Sequence, residues 1–108
     1  MSFTLPHAIS TYFSISNGAD IARVKDCFTV DAVVTDENKT HQGHVEIAAW
    51  QRAAQATFDY SVEPIKVLNY GDRVTVTSYV VGNFPGSPVK LNHSFGLIGD
   101  KINTLEIL

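Results

Sequence analysis

Four side chains in this sequence join a type that moves protons or holds an oxygen to a position that could use it: Tyr12, Asp36, His41 and His93. Asp36 closes the segment Ala32-Val33-Val34-Thr35-Asp36, and strand alternation puts its carboxylate on the same side as Val34. A carboxylate turned into apolar surroundings has a raised pKa and works as a general base near neutrality. Beside Glu37, Asn38 and Lys39 the same residue also reads as an ordinary solvated strand end. Pattern alone leaves both readings open. His41 comes five residues later in a polar turn, where it would orient Asp36 or share its proton.

His93 stands mid-strand between Leu91 and Phe95 on an apolar face. A buried imidazole needs a hydrogen-bond partner, and desolvation favours its neutral form. It reads as a core histidine satisfied by its neighbours or as a neutral donor facing a ligand. Tyr12 shares a helical stripe with Ile9, Phe13 and Ser16, so its hydroxyl is turned inward. Either a ligand oxygen or a backbone carbonyl can take that proton.

Other chemistries find little support. His41 and His44, three apart with one carboxylate upstream, match no established zinc spacing, so neither a metal nor a cofactor is expected. There is no Gly-rich phosphate loop, no serine nucleophile elbow and no CxxC pair. His7 and His44 are expected in solvent at helix starts. Cys27, beside Phe28, reads as a small buried hydrophobe. Phe28, Trp50, Tyr60, Phe84 and Phe95 read first as core aromatics and second as walls of a pocket.

The elements that must position these residues are set by periodicity. Thr4 is expected to cap a first helix with Pro6 in its first turn, ended by Asn17-Gly18. Asp20 caps a second helix with Ile21, Val24 and Phe28 on its stripe. A strand over Ala32–Asp36 and a polar Glu37–Gln42 turn lead to a third helix, His44–Phe58, with Ile47, Trp50, Ala54 and Phe58 on one face. From Tyr60 the period drops to two, predicting strands Tyr60–Leu68, Arg73–Phe84, Val89–Ile98 and Lys101–Leu108 joined by turns. Pro64 marks a bulge or an edge, and Gly82 and Gly96 serve bends. Three helices and then a four-strand meander make an α+β layout, with helices packed on one face of a strongly curved antiparallel sheet.

Composition bounds the partners. The 108 residues, 44% hydrophobic and 18% charged, suit one globular domain over 1–108. A hollow pocket takes volume from so small a core, which a second subunit would offset, so a homodimer is expected. Net charge is −3 and the eight Lys and Arg are scattered singly, which argues against nucleic acid. A single cysteine fits a reducing compartment. No basic-then-apolar leader stands at the start, and no run nears the roughly 20 apolar residues of a membrane span. A cytoplasmic protein without a membrane partner, its last element ending without a tail, is the expectation.

The stretches TYFSISNGADIARVKDCFTVDAVVTDE, THQGHVEIAAW and GNFPGSPVKLNHSFGLIGDKINTLEIL, in this order and spacing, carry a resemblance over nearly the whole chain. The sequence resembles the nuclear transport factor 2-like superfamily, in its SnoaL-like polyketide cyclase and ketosteroid isomerase branch. The resemblance implies a cone-shaped, cystatin-like half barrel: a curved sheet wrapped round a long helix, with an apolar cavity open at one end. It also implies roles. Tyr12 matches a helix tyrosine that donates to the substrate oxygen, and Asp36 matches the general base at a strand end. His93 matches the second oxyanion donor, a protonated Asp in ketosteroid isomerases. The exchange of Asp for His alters which substrate suits the site, and Asp36 with His93 or His41 suits cyclase chemistry equally.

The function implied is a pocket for an apolar ligand bearing a carbonyl or hydroxyl, with cofactor-free, isomerase- or cyclase-type proton transfer beside the carbonyl. Asp36 would take the proton while Tyr12 and His93 hold the enolate oxygen. The alternatives are a non-catalytic binding or dimerisation module, and a hydrolase or dehydratase in which Asp36 activates water.

Overall fold

A computed structural model describes residues 4–108. Helix α1 spans His7–Ser16, and its cap position is Pro6, whose ψ of 144° keeps the chain extended up to that point. The helix therefore starts too late for Thr4 to cap it, and no side chain does. Ile9, Tyr12, Phe13 and Ser16 are buried, as their spacing predicts. Gly18 comes next at a φ of 108°, the left-handed region that ends a helix without strain only with glycine. The Asn17 side chain then exchanges two hydrogen bonds with the backbone of Val62, at 2.8 and 2.7 Å, and ties α1 to the sheet.

Asp20 does cap, accepting from the Ala22 N–H at 3.0 Å, but the helical segment it opens is shorter than expected. A 3₁₀ turn, Ile21–Arg23, runs into a single helical turn, α2 (Val24–Cys27). Phe28 belongs to strand β1 (Phe28–Asp36), which begins four residues earlier than predicted. The polar stretch after Asp36 is also more than a turn. Glu37 and Asn38, at φ 52° and 63°, form a two-residue reversal of the kind that suits a hairpin, and Lys39–Gln42 returns as strand β2. That strand escapes detection because it is a polar edge with no apolar alternation.

Helix α3 (Gly43–Thr57) lies against β1 and carries Ile47 fully buried, while Phe58, past its end, is 38% exposed. Strands β3 (Tyr60–Tyr70), β4 (Arg73–Gly82), β5 (Val89–Ile98) and β6 (Lys101–Ile107) form the expected meander. The register slips between Pro64 and Lys66 and between Gly96 and Leu97, where a bulge or bend was anticipated.

The sheet has six strands in the order β2-β1-β6-β5-β4-β3. β1 runs parallel to β6 and every other pair is antiparallel, so the sheet is mixed and does not close. An all-antiparallel sheet is thereby corrected. The connection from β1 to β6 spans the whole meander, and no local signal could reveal its direction. Val74, Val76, Ser78 and Val80 of β4 face inward beneath α1 and α3, joined by Val34, Phe95, Ile102 and Leu105. Among the described residues no helix is long and apolar enough to cross a membrane.

Candidate active site

Helices α1 and α3 and the inner face of the sheet leave a cavity of about 570 Å³, within the range of small-molecule sites. Tyr12, Asp36, His41 and His93 all border it. Each arrives by a different route: Tyr12 from the inward stripe of α1, Asp36 from the end of β1, His41 from β2 and His93 from the middle of β5.

Asp36 is half-buried, and its Oδ2 accepts the indole N–H of Trp50 at 3.1 Å. Position 50 on α3 faces both β1 and the cavity, so one aromatic ring both lines the wall and fixes the carboxylate. The other carboxylate oxygen stays available to a ligand. The indole lies parallel to Tyr12, with centroids 6.5 Å apart and an 11° tilt, and His41 stacks on it at 5.8 Å and 26°. His41 sits opposite Val34 across the β1–β2 hairpin and Lys39 opposite Asp36, so all four share one face. Its ring meets the indole face, and Asp36 is held by Trp50 instead.

Tyr12 is 3% exposed. Burial pushes its hydroxyl pKa well above the ordinary phenol value, an effect the Ser16 hydroxyl partly offsets, so it remains a proton donor at any physiological pH. Ser16 in turn accepts from Gln51 Nε2 at 3.3 Å. Gln51 and Ser16, both buried and both bordering the cavity, extend the polar set beyond the four residues that the sequence singled out. The signal for Gln51 was present: it stands four residues after Ile47, on the inward side of α3.

His93 is 3% exposed and packs edge-on to Phe13 at 5.3 Å, against Tyr12 at 5.9 Å and parallel to Phe95 at 6.1 Å. Burial lowers its pKa to about 4, with the Leu91 and Val76 carbonyls acting in the opposite sense. The imidazole is neutral near pH 7, and so keeps one N–H to donate. Tyr60, half-buried on the wall, is also raised, by burial first and by the Asp36 charge second.

Of the five expected wall aromatics, Trp50, Tyr60 and Phe84 border the cavity. Phe28 and Phe95 do not. Both are fully buried behind Tyr12, meeting its ring edge-on at 6.1 and 5.5 Å, and so brace the tyrosine rather than a ligand. His44 is not free in solvent: its Nε2–H donates to the Phe28 carbonyl at 2.9 Å and fastens α3 to β1. His7 is exposed. Cys27 is buried and its thiol is pushed up to about 12 by burial, which makes it unreactive. Among the described residues no three His, Cys, Asp or Glu side chains gather as metal ligands.

The arrangement offers one carboxylate acceptor and two neutral donors on one apolar-walled cavity. A family model for the SnoaL-like domain matches residues 9–97. A proposed polyketide cyclase from Sinorhizobium meliloti is similar at 39% identity, covering 96% of this chain and 95% of that one, with a TM-score of 0.91. A protein from Catenulispora acidiphila with a ketosteroid isomerase-like fold, solved with trimethylamine, aligns at 20% identity over 97% and 86% of the two chains, with a TM-score of 0.85. A proposed isomerase of the SnoaL-like family from Agrobacterium tumefaciens aligns at 18% identity over 93% and 92%, with a TM-score of 0.78. The last two, at such identities, speak for the fold alone. No curated protein matches the chain.

Proposed function

Because the chain belongs to the SnoaL-like domain family, we propose that it binds an apolar small molecule bearing a carbonyl or hydroxyl and moves a proton on it, as an isomerase or cyclase does. Asp36 takes the proton from the carbon beside the carbonyl. Tyr12 and His93 donate to the oxygen on which the charge of the enolate develops, and Trp50 forms a wall beside the ligand. His41 stacks over Trp50 and keeps the Asp36–Trp50 pair in place. The observation that carries this reading is that Asp36 shares one cavity with Tyr12 and His93, two donors that burial keeps neutral. The 39% identity to a proposed polyketide cyclase supports an oxygen-bearing, polyketide-like substrate.

The chain acts in this reading as a single cytoplasmic domain and as a homodimer. The outer sheet face, where Tyr79 and Val81 are 38% and 44% exposed, is the surface for a second copy. Light scattering on the purified protein measures that state directly.

The test of the chemistry is hydrogen–deuterium exchange at the α-carbon of a panel of cyclic ketones in D₂O, monitored by proton NMR. The wild type is expected to accelerate exchange on at least one of them. Asp36→Asn should lower that rate by about 10²–10⁴, the usual contribution of a positioned base, with an unchanged melting temperature. Ketones retained by the protein without exchange would show a binding module instead. Equal rates in both proteins would remove Asp36 from the reaction.

A further inference from the structure

Two buried polar atoms have no hydrogen-bond partner among the described residues, Ser78 Oγ and His93 Nδ1. They lie on the same face of adjacent strands. On the antiparallel pair β4–β5, Val76 stands opposite His93 and Ser78 opposite Leu91, which makes Ser78 the diagonal neighbour of His93. Both side chains point inward, since Ser78 is fully buried and His93 nearly so. Diagonal neighbours on one face have Cα atoms about 7–8 Å apart and Cβ atoms closer, within reach of an imidazole and a hydroxyl.

No other side chain of β4 or β5 on that face can serve either atom. The inward neighbours of Ser78 along β4 are Val76 and Val80, and those of His93 along β5 are Leu91 and Phe95. The Leu91 and Val76 carbonyls lie beside the ring, but neither makes a hydrogen bond to Nδ1. Asn92 and Leu108 exchange both backbone bonds, at 3.0 and 2.9 Å, so the backbone of Asn92 faces β6 and that of His93 faces Val76 on β4. A buried hydroxyl without an acceptor and a buried ring nitrogen without a donor are each costly alone and satisfy one another when paired.

We infer that Ser78 is the positioning residue of His93: its hydroxyl donates to Nδ1, across one bridging water or on a turn of the Ser78 side chain, and so holds the ring proton on Nε2, the nitrogen left to face the cavity. This rests on the proposed role of His93 as a donor, and it explains how a neutral imidazole, which could carry its proton on either nitrogen, presents an N–H to the ligand oxygen.

The tautomer is readable without any substrate. Long-range ¹H–¹⁵N correlation on protein carrying ¹⁵N-labelled histidine reports which ring nitrogen is protonated, and His93→Gln assigns the signal among the four histidines. The wild type at pH 7 should show one His93 tautomer, protonated at Nε2. Ser78→Ala, nearly unchanged in volume, should move the signals toward a mixture or toward the Nδ1–H form, and Ser78→Thr should restore the wild-type pattern. If Ser78→Ala does not fold, Ser78→Cys, close in size and a far weaker donor, carries the same comparison with the same expected shift. A wild-type His93 protonated at Nδ1, or variant spectra that match the wild type, would overturn the assignment. A correct tautomer together with unchanged ketone exchange in His93→Gln would instead leave Ser78 in place and remove His93 from the proposed chemistry.

Discussion

Trp50 donates its indole N–H to Asp36 across 3.1 Å, and the same ring lies parallel to Tyr12 at 6.5 Å. One side chain of α3 thus sets the distance between the proposed base at the end of β1 and a proposed donor on α1. A carboxylate at a strand end beside two turn residues would otherwise rotate freely; the indole holds one oxygen and leaves the other for the ligand.

Trp50→Phe keeps an aromatic wall and deletes that bond. A hydrogen bond to a charged group contributes about 1.5–3 kcal/mol, so the α-proton exchange rate should fall by about 10–10²-fold. The loss should be smaller than for Asp36→Asn, since the base itself remains. Measuring both rates in one ketone series, at a temperature where both variants are folded, checks the order. Equal losses would mean that Trp50 does more than aim the carboxylate.

The buried His93 makes stability depend on pH in one direction. Its pKa in the folded protein is lowered to about 4, below the 6.5 of an exposed histidine, so the unfolded chain binds the proton more tightly. The stability due to the neutral ring is complete above pH 6.5 and is lost as pH falls toward about 4. At the acid end the loss is on the order of 3 kcal/mol. Urea melts from pH 7.5 down to 4.5 should show this decline in the wild type, and a clearly shallower one in His93→Gln, which has no proton to take up.

Asn17 holds the end of α1 to β3 through two bonds to one residue, Val62. Asn17→Ala leaves the N–H and carbonyl of Val62 without that partner in a half-buried place. A loss of about 1–3 kcal/mol is expected, seen as a lower thermal midpoint. Because α1 carries Tyr12, the same variant should weaken ketone retention, measurable by equilibrium dialysis. Asn17→Asp, which keeps the acceptor and loses the donor, should fall between the two.

Much of this protein was determined by sequence alone. Period-two alternation made the meander of β3 to β6 legible, and helical spacing turned Tyr12 inward on α1. These signals are local: each depends on a residue and those two to four positions away. The features that only the tertiary structure decided are non-local. The parallel pairing of β1 with β6 links segments far apart in the chain, and β2 is an edge strand whose exposed polar residues carry no periodic mark. The aromatics divided for the same reason. Phe28 and Phe95 are as apolar as Phe84, but they fill the space behind Tyr12 while Phe84 borders the cavity, a distinction set by which layer of the packing each strand position reaches. Asp36, Tyr12 and His93 could be proposed one by one from their own faces. That they share one cavity, with Trp50 clasping the first and Ser78 beside the last, depends on a sheet that curves enough to bring four elements to one space.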